Sequence, residues 1–431
     1  MKIAIIGAGP AGLAAALRLH QQGFSPVIYE KVREIKPLGV GLDIKVYGVR
    51  ELDELGLLEQ FEEISNEAVD SIFYNNHGQE IYAEKCGTHM GYLHEQRFVH
   101  RGYLQMLLYR TVLERLGEDA IQLGVGLERY ENTGSGVKLH LARRDGETFE
   151  EDVDVLIGAD GIKSVVRAQM HPTESDPKFS GIRMYRGVTV MDPYRDSHTI
   201  LHIGAPRIAS MIVYPLHLDY EGTGKALINW VVETEGEEMY EDWNTPGDVD
   251  DLIPRFEDTK LPFLDVQQML RDAKEVYVYP LVDHDPLDRW VDGRVVLIGD
   301  AAHAMYPRGG NGACQSIVDG RVLAERLAAS QNAPEVGLQE FEDARLEGVN
   351  RLVMANRGEA YEVIRRLVQD RTDAQPFDDI EEVLPMAEAD KIFSHYHGLA
   401  GQPRPGYEDG ETTGFRTWEA EDSWENQHAV R

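Results

Sequence analysis

Glu30, Asp160 and Asp300 are carboxylates placed where a sugar- and phosphate-bearing ligand can be held. Glu30 closes an apolar run, and the other two sit in glycine-rich turns. Three such glycine segments recur along the chain: Gly7-Ala8-Gly9-Pro10-Ala11-Gly12, Gly158-Ala159-Asp160-Gly161 and Gly299-Asp300-Ala301-Ala302-His303. The first, taken alone, fits any protein that binds a dinucleotide on a strand–turn–helix unit. The three in this order point to one large cofactor, held by the N-terminal region and touched again by two distant loops.

The elements that must position these residues are legible around them. Lys2 to Ile6 is an apolar run suited to a strand, and Leu13 to Leu17 is a good helix former, which is the context the first motif needs. Gly7 permits the tight turn, Gly9 lets a pyrophosphate approach, and Gly12 lets helix and strand pack closely. Pro10 and Ala11 complete the turn, so that phosphates meet free N–H groups at the helix start. Pro26 to Tyr29 reads as a second strand ending in Glu30, 18 residues past Gly12, where an acid accepts hydrogen bonds from a ribose.

The chain of 431 residues carries 75 acidic against 43 basic residues, a formal charge of −32, which argues against nucleic acid or an anionic membrane as partner. An acidic protein that admits an anionic ligand needs local positive regions. Lys31, Arg33, Lys36, Lys45 and Arg50 fall just after the first unit, with Arg97 and Arg101 later and Arg183 and Arg186 beyond. Met1 leads straight into the first strand without a signal-peptide pattern, no apolar run reaches membrane-spanning length, and Cys86 and Cys314 provide neither a disulfide framework nor a metal spacing. A cytoplasmic protein, monomer or homodimer, is expected.

The expected organisation is α/β. A Rossmann-like cofactor domain of the glutathione-reductase type (1–174, resumed at 286–335) carries an inserted, mainly antiparallel sheet domain at 175–285. A C-terminal helical segment follows at 336–400, with one long helix from about Gln339 to Gln369, and then an acidic tail at 401–431. Arg101 to Leu116 has helical periodicity, and Pro37-Leu38-Gly39-Val40-Gly41 is a glycine-bearing loop suited to accommodating motion.

On these motifs the chain resembles the single-component (group A) FAD-dependent aromatic hydroxylases, the para-hydroxybenzoate hydroxylase class, over essentially its whole length. The Pro37–Gly41 loop, His100 to Met106, Tyr214-Pro215, Val282 to Leu287 and Ala304 to Pro307 are closest in pattern to the phenazine-carboxylate hydroxylase branch. The resemblance implies that Gly7, Gly9, Gly12 and Glu30, with Pro10, Ala11 and the neighbouring Lys31, bind the ADP half of FAD. It places Arg101 near the pyrophosphate, where a guanidinium forms forked bonds to phosphate. Asp160 and Arg167 fall in a D-G-x-x-S-x-x-R pattern used near the pyrophosphate and for the nicotinamide; a local loop-to-helix bridge is the other reading. Asp300 is implied to hold the ribityl chain. Pro307, Gly310, Asn311, Gly312 and Ala313 are implied to place a helix start under the flavin, and Gly41 to line it. Cys314 stands where many members carry asparagine.

The activity so implied is hydroxylation of an aromatic ring through a flavin C4a-hydroperoxide, using NADH or NADPH and O2. Tyr306, Pro307 and Gly310 are the catalytic candidates. Tyr185, Arg186, Tyr214, Trp230 and Tyr306 are the candidate lining for a planar aromatic substrate, and the likeness to the phenazine-carboxylate branch implies a carboxylated one. The alternative is an FAD-dependent dehydrogenase or reductase that inserts no oxygen. The Trp-x-Trp-x-Ile-Pro signature of flavin halogenases is missing, and a scaffold reading leaves Gly299 to Gly312 unexplained.

Overall fold

A computed structural model describes residues 1–37, 39–174, 176–205, 209–236, 245–358 and 360–405. Leu38 of the glycine loop and residues 406–431 of the acidic tail lie outside the described residues.

Four short, apolar strands build the centre of the cofactor lobe. Ile3–Ile6 lies between Val27–Glu30 and Val155–Gly158, and Val295–Leu297 follows on the far side of the last. All four run parallel and are buried on both faces, as continuous apolar runs of this length require. Their register aligns Ile6 with Gly158 and Gly158 with Leu297. The three glycine motifs, far apart in sequence, therefore leave the same edge of one sheet side by side. In such sheets ligands bind outside the carboxyl ends of the strands. Pro10–Gln21 packs against Gly312–Ala329 over this sheet, and the three-stranded meander Val125–Asn132, Val137–Arg143 and Thr148–Val153 covers another part of it.

The second lobe is a sheet of eight strands among the described residues, centred on Lys178–Met191, Ala226–Glu235 and Ala209–His217. It is antiparallel through most of its width, as expected, but its origin is wider than 175–285. Asp70–Tyr74 pairs parallel with Thr199–Ala205, and Glu80–Lys85 extends the edge. Both faces of Asp70–Tyr74 have apolar work to do: Ile72 and Tyr74 join the core beneath the sheet, while Phe73 meets the C-terminal helices.

The single long C-terminal helix is corrected to two. Pro334–Arg357 starts earlier, with Pro334 supplying the fixed φ suited to a first turn, and Val363–Thr372 follows after a break. Gly358 caps the first helix, and Ala360 takes a left-handed φ of 51°, which a continuous helix excludes. The break turns Tyr361 and Glu362 inward, where both are buried.

Candidate active site

At the ADP end, two glycines of the first motif are each required by a different neighbour. Gly7 has φ +106°, and a Cβ there would stand 2.5 Å from the Ala159 carbonyl oxygen; at Gly12 it would stand 2.1 Å from that of Gly7. Gly9 differs: nothing lies within 4 Å of its Cβ position. That open cradle borders the start of Pro10–Gln21, a helix whose cap residue offers no side chain to its first N–H groups. Glu30 accepts from Ala8 N–H at 2.8 Å and Val32 N–H at 3.0 Å, which fixes the carboxylate beside the cradle while leaving lone pairs for a ribose. Gln105 donates to the Ala8 carbonyl at 2.9 Å and holds the same turn; it lies one helical turn past Arg101 but carries no motif of its own. Lys31 is exposed beside it.

The middle motif behaves differently from expectation. Asp160 accepts from Ser164 Oγ at 2.5 Å and Val165 N–H at 2.7 Å, closing the start of the Val165–Met170 helix; burial pushes its carboxyl up, and these bonds oppose the shift. Arg167 does not bridge to Asp160. Only 2 % exposed, it bonds to the Glu174 carboxylate, the carbonyls of Ala301 and Ala302 at 3.0 and 2.9 Å, and that of Asp285 at 3.2 Å. Its donors are committed to protein acceptors, so Arg167 supports the late motif from behind instead of reaching a ligand.

That late motif is braced from a second direction. Gly299 (φ 59°) donates its N–H to Asp319 at 2.9 Å; Asp319 also takes His303 Nε2 at 2.6 Å and Arg345 Nε at 2.9 Å. Asp319 is fully buried, which pushes its carboxyl up, but His303 and Arg345 hold it below its ordinary range. Asp300, next in line, is exposed at the start of the Asp300–His303 turn. Asp319 and Arg345 were not visible in the sequence, because their signal is a contact between two distant helices.

Pro307 is exposed and opens the tight Arg308–Gly310 turn, where Gly309 and Gly310 both have positive φ (74° and 69°). A side chain at Gly309 would run into the Tyr396 hydroxyl. The Asn311 side chain is locked by Tyr47 Oη at 2.7 Å and Tyr396 Oη at 2.8 Å, so it contributes backbone alone at the start of Gly312–Ala329. Gly312 and Ala313 are half-buried there. Cys314, whose thiol burial pushes up to about 12, is buried and accepts from Lys45 N–H at 3.3 Å. The departure at Cys314 is thus absorbed inside the protein.

The sheet lobe meets this region at Gly41. Gly41 donates to Asn229 Oδ1 at 2.7 Å and accepts from Arg186 at 3.1 Å, and its Cβ position is 2.7 Å from the Tyr214 ring. Burial pushes the Tyr214 phenol up, and the adjacent Arg186 draws it back. Arg101, exposed at the start of its helix, packs its stem beneath Gly39 on the same side. Tyr306 is buried against Ile182, Met184 and Leu281. Burial pushes its phenol up too, with Asp283 adding to the effect.

Tyr185 and Trp230 are corrected as substrate contacts. Side chains alternate across a sheet, so they project to the face opposite Arg186 and Tyr214. There they join Met211, Val213 and Phe256 in the core beneath the sheet, and the Trp230 indole donates to Thr189 at 3.1 Å. Asn229, between Ile228 and Trp230 on the facing side, is the residue the sequence reading passed over.

These surroundings fit FAD: an open cradle at a helix start, a fixed acid beside it, an exposed acid on a braced turn, and a second long helix starting under a glycine turn.

The FAD binding domain family matches residues 1–356, and the chain belongs to it. Fold and site together define the class, that of the FAD-dependent aromatic monooxygenases. Among named relatives, the phenazine 1,6-dicarboxylic acid hydroxylase of Lysobacter antibioticus is 37% identical over 362 residues, covering 82% of this chain and 89% of that protein. The 6-hydroxynicotinate 3-monooxygenase of Pseudomonas fluorescens is 29% identical, covering 86% and 91%. The fold is shared with Klebsiella pneumoniae HpxO complexed with FAD and uric acid (TM-score 0.70, 22% identity, 93% and 96% covered). A salicylate hydroxylase substrate complex is also similar (TM-score 0.68, 24% identity, 94% and 98% covered). Among the described residues no helix is long and apolar enough to cross a membrane.

Proposed function

We propose that this enzyme hydroxylates a planar, carboxylated heteroaromatic ring of the phenazine kind, with NADH or NADPH as reductant. The observation that carries the substrate class is the 37% identity to the phenazine dicarboxylic acid hydroxylase over most of both chains. Bound FAD supplies the redox and oxygen chemistry. The chain's part is to bind it, place the ring and exclude water.

In this reading Gly7, Gly9, Pro10, Ala11, Gly12, Glu30 and Lys31 hold the ADP half. Arg101 and the Asp160 turn lie along the pyrophosphate, and Asp300 accepts from the ribityl chain. Pro307 and Gly310 shape the turn that lies against the flavin ring, and Asn311, Gly312 and Ala313 offer it backbone donors, a helix start stabilising the negative charge of the reduced ring. Gly41, Arg186, Tyr214 and Tyr306 form the wall that the aromatic substrate meets, with Tyr306, Pro307 and Gly310 nearest the chemistry. The cofactor domain comprises 1–174 and 286–335, the covering sheet 175–285 with its two added strands, and the protein works in the cytoplasm as a monomer or homodimer.

The test is NAD(P)H consumption by the FAD-loaded protein against phenazine carboxylates, hydroxynicotinates, salicylate and simple phenols, with product masses recorded. The expected result is a stimulated rate with one oxygen gained, or one gained and carbon dioxide lost, for a carboxylated ring. Substrate oxidation that proceeds under nitrogen with a dye acceptor and gains no oxygen overturns it, and stimulation by uncarboxylated rings alone overturns the substrate class.

A further inference from the structure

The buried arginines Arg18, Arg97, Arg167, Arg308, Arg345 and Arg365 each meet a carboxylate. Arg186 does not. It donates to the Gly41 carbonyl at 3.1 Å and adjoins the Tyr214 phenol, both neutral, and pairs with no carboxylate among the described residues. Its Nε is buried with no hydrogen-bond partner among them. Burial pulls the guanidinium below the usual arginine range, and Arg101 adds a charge of the same sign. Glu233, further along the same face of the sheet, is taken by Arg308 at 3.3 Å, and Asp43 by Lys45 at 2.7 Å.

A second unmatched donor lies beside it. Asn229 is fully buried; its Oδ1 takes the Gly41 N–H at 2.7 Å, and its Nδ2 has no partner among the described residues. The register sets Val188 opposite Asn229, so Arg186, two residues back on the same face, is its diagonal neighbour, a spacing that long side chains span. Tyr214 stands opposite Asn229 on its other side. This face is also the more open one. Arg186, Val188, Val231 and Tyr279 are half-buried, whereas Tyr185, Trp230 and Val232 on the opposite face are buried. A buried donor left unpaired costs stability unless a ligand or water meets it. Water could satisfy the two nitrogens, but it brings no charge to match Arg186. The group that meets both needs is an anion with hydrogen-bond acceptors, carried by a ring that can lie among phenols.

We infer that Arg186 and Asn229 together receive the carboxylate of the substrate. The guanidinium supplies the charge, Asn229 Nδ2 a directed donor, and Tyr214 and Tyr279 the aromatic surface for the ring. The two side chains also hold the two backbone groups of Gly41, so the acid is read at the joint between the lobes. The inference rests on the carboxylated-substrate reading above.

The experiment is titration of the FAD-loaded full-length protein with phenazine-1,6-dicarboxylate and with its uncharged diamide, followed by the flavin spectrum and by calorimetry. FAD affinity and the flavin midpoint potential are measured for each variant. The unaltered protein should favour the acid. Arg186→Met should weaken acid binding on the order of tenfold to a hundredfold, the scale of lost charge-assisted bonds, and abolish the preference for acid over amide. Arg186→Lys, which keeps the charge and loses the fork, should recover part of that preference. Asn229→Asp keeps the acceptor for Gly41 and gives Arg186 the carboxylate it lacks. It should lose acid binding while the apoprotein melts no lower than the unaltered one, a result that a merely structural role for Asn229 does not produce. Acid preference retained in Arg186→Met, or acid binding retained in Asn229→Asp, overturns the role of the pair alone. A changed FAD affinity or midpoint potential with acid preference intact assigns the pair to the flavin and overturns it too. If the unaltered protein binds the diamide as well as the acid, the carboxylated-substrate reading falls and this inference with it.

Discussion

The backbone N–H of Gly41 and the side-chain oxygen of Asn229 are 2.7 Å apart, and both are buried. Through this bond the loop after the second strand of the cofactor lobe is latched to the middle of the sheet lobe. Arg186 closes the latch from the other side by donating to the Gly41 carbonyl at 3.1 Å. The position is filled as tightly as it is bonded: a Cβ would lie within 2.8 Å of Asn229, Tyr214 and Leu216 together.

Gly41→Val should therefore open this latch without touching the ADP end. The expected result is FAD bound nearly as in the unaltered protein, with reduction by NAD(P)H slowed on the order of a hundredfold, the scale of an ångström-sized misplacement near the chemistry. Stopped-flow absorbance of the flavin, set against a separate FAD titration, separates the two effects. Equal losses in both would show that the loop serves cofactor binding and not placement.

Two glycines of the first motif should part company when given side chains. Gly12→Val drives carbon into the Gly7 carbonyl oxygen, 2.1 Å from the Cβ position, and should cost several kcal/mol of stability, as overpacked cores do (about 1–3 or more). Gly9→Val meets nothing within 4 Å in the protein and should leave the melting temperature of the apoprotein within a few degrees. Its effect should fall on FAD affinity instead, and unaltered affinity would remove Gly9 from the phosphate cradle.

Asp300 and Asp319 give a similar contrast between ligand and scaffold. Asp300→Asn should weaken FAD binding by about 1.5–3 kcal/mol, the worth of a hydrogen bond to a charged group, with little change in apoprotein stability. Asp319→Asn removes the charge shared by His303 and Arg345 and should destabilise the protein by ~3–5 kcal/mol, as breaking a buried ion pair does. Thermal melts of the apoproteins with and without added FAD read both.

Glu362 sets an acid limit. Burial pushes its carboxyl up, but Arg365 and His202 outweigh that and hold it down to about 2, against 4.5 unperturbed. A folded-state value below the unfolded one gives stability that is present above about pH 4.5 and lost as the pH falls toward 2. The contribution is on the order of a few kcal/mol. Glu362→Gln should lower the denaturant midpoint at neutral pH and flatten this stretch of the acid limb; an acid limb as steep as before would deny Glu362 the role.

Much of the cofactor lobe could be read from residue types, because each motif carries its own local requirement: glycine where a turn has positive φ, an acid where a strand ends, an apolar run where a strand is buried. What escaped the reading was set by tertiary contacts. Arg186 and Tyr185 are adjacent in sequence and chemically plausible together, but the two-residue period of a strand sends one toward Gly41 and the other into the core. Arg167 lies in a ligand-binding pattern, yet the carbonyls of Ala301 and Ala302 that occupy it are contributed by the short helical turn Asp300–His303, far along the chain. The helix expected to run on to Gln369 has the periodicity throughout, and only Gly358 marks where it stops.

The pairing of Asp70–Tyr74 with Thr199–Ala205 bears on how the molecule is made. During synthesis the first strand can pair at once with Glu80–Lys85, but its other edge stays open until Thr199–Ala205 is added. Non-local parallel pairings are slow to form and exposed to misassociation. The sheet lobe cannot be excised as 175–285 without baring the edge of Thr199–Ala205, and an uncovered edge is a template for aggregation. The two lobes are thus interdependent in their birth: neither has all its strands until the ribosome has passed both.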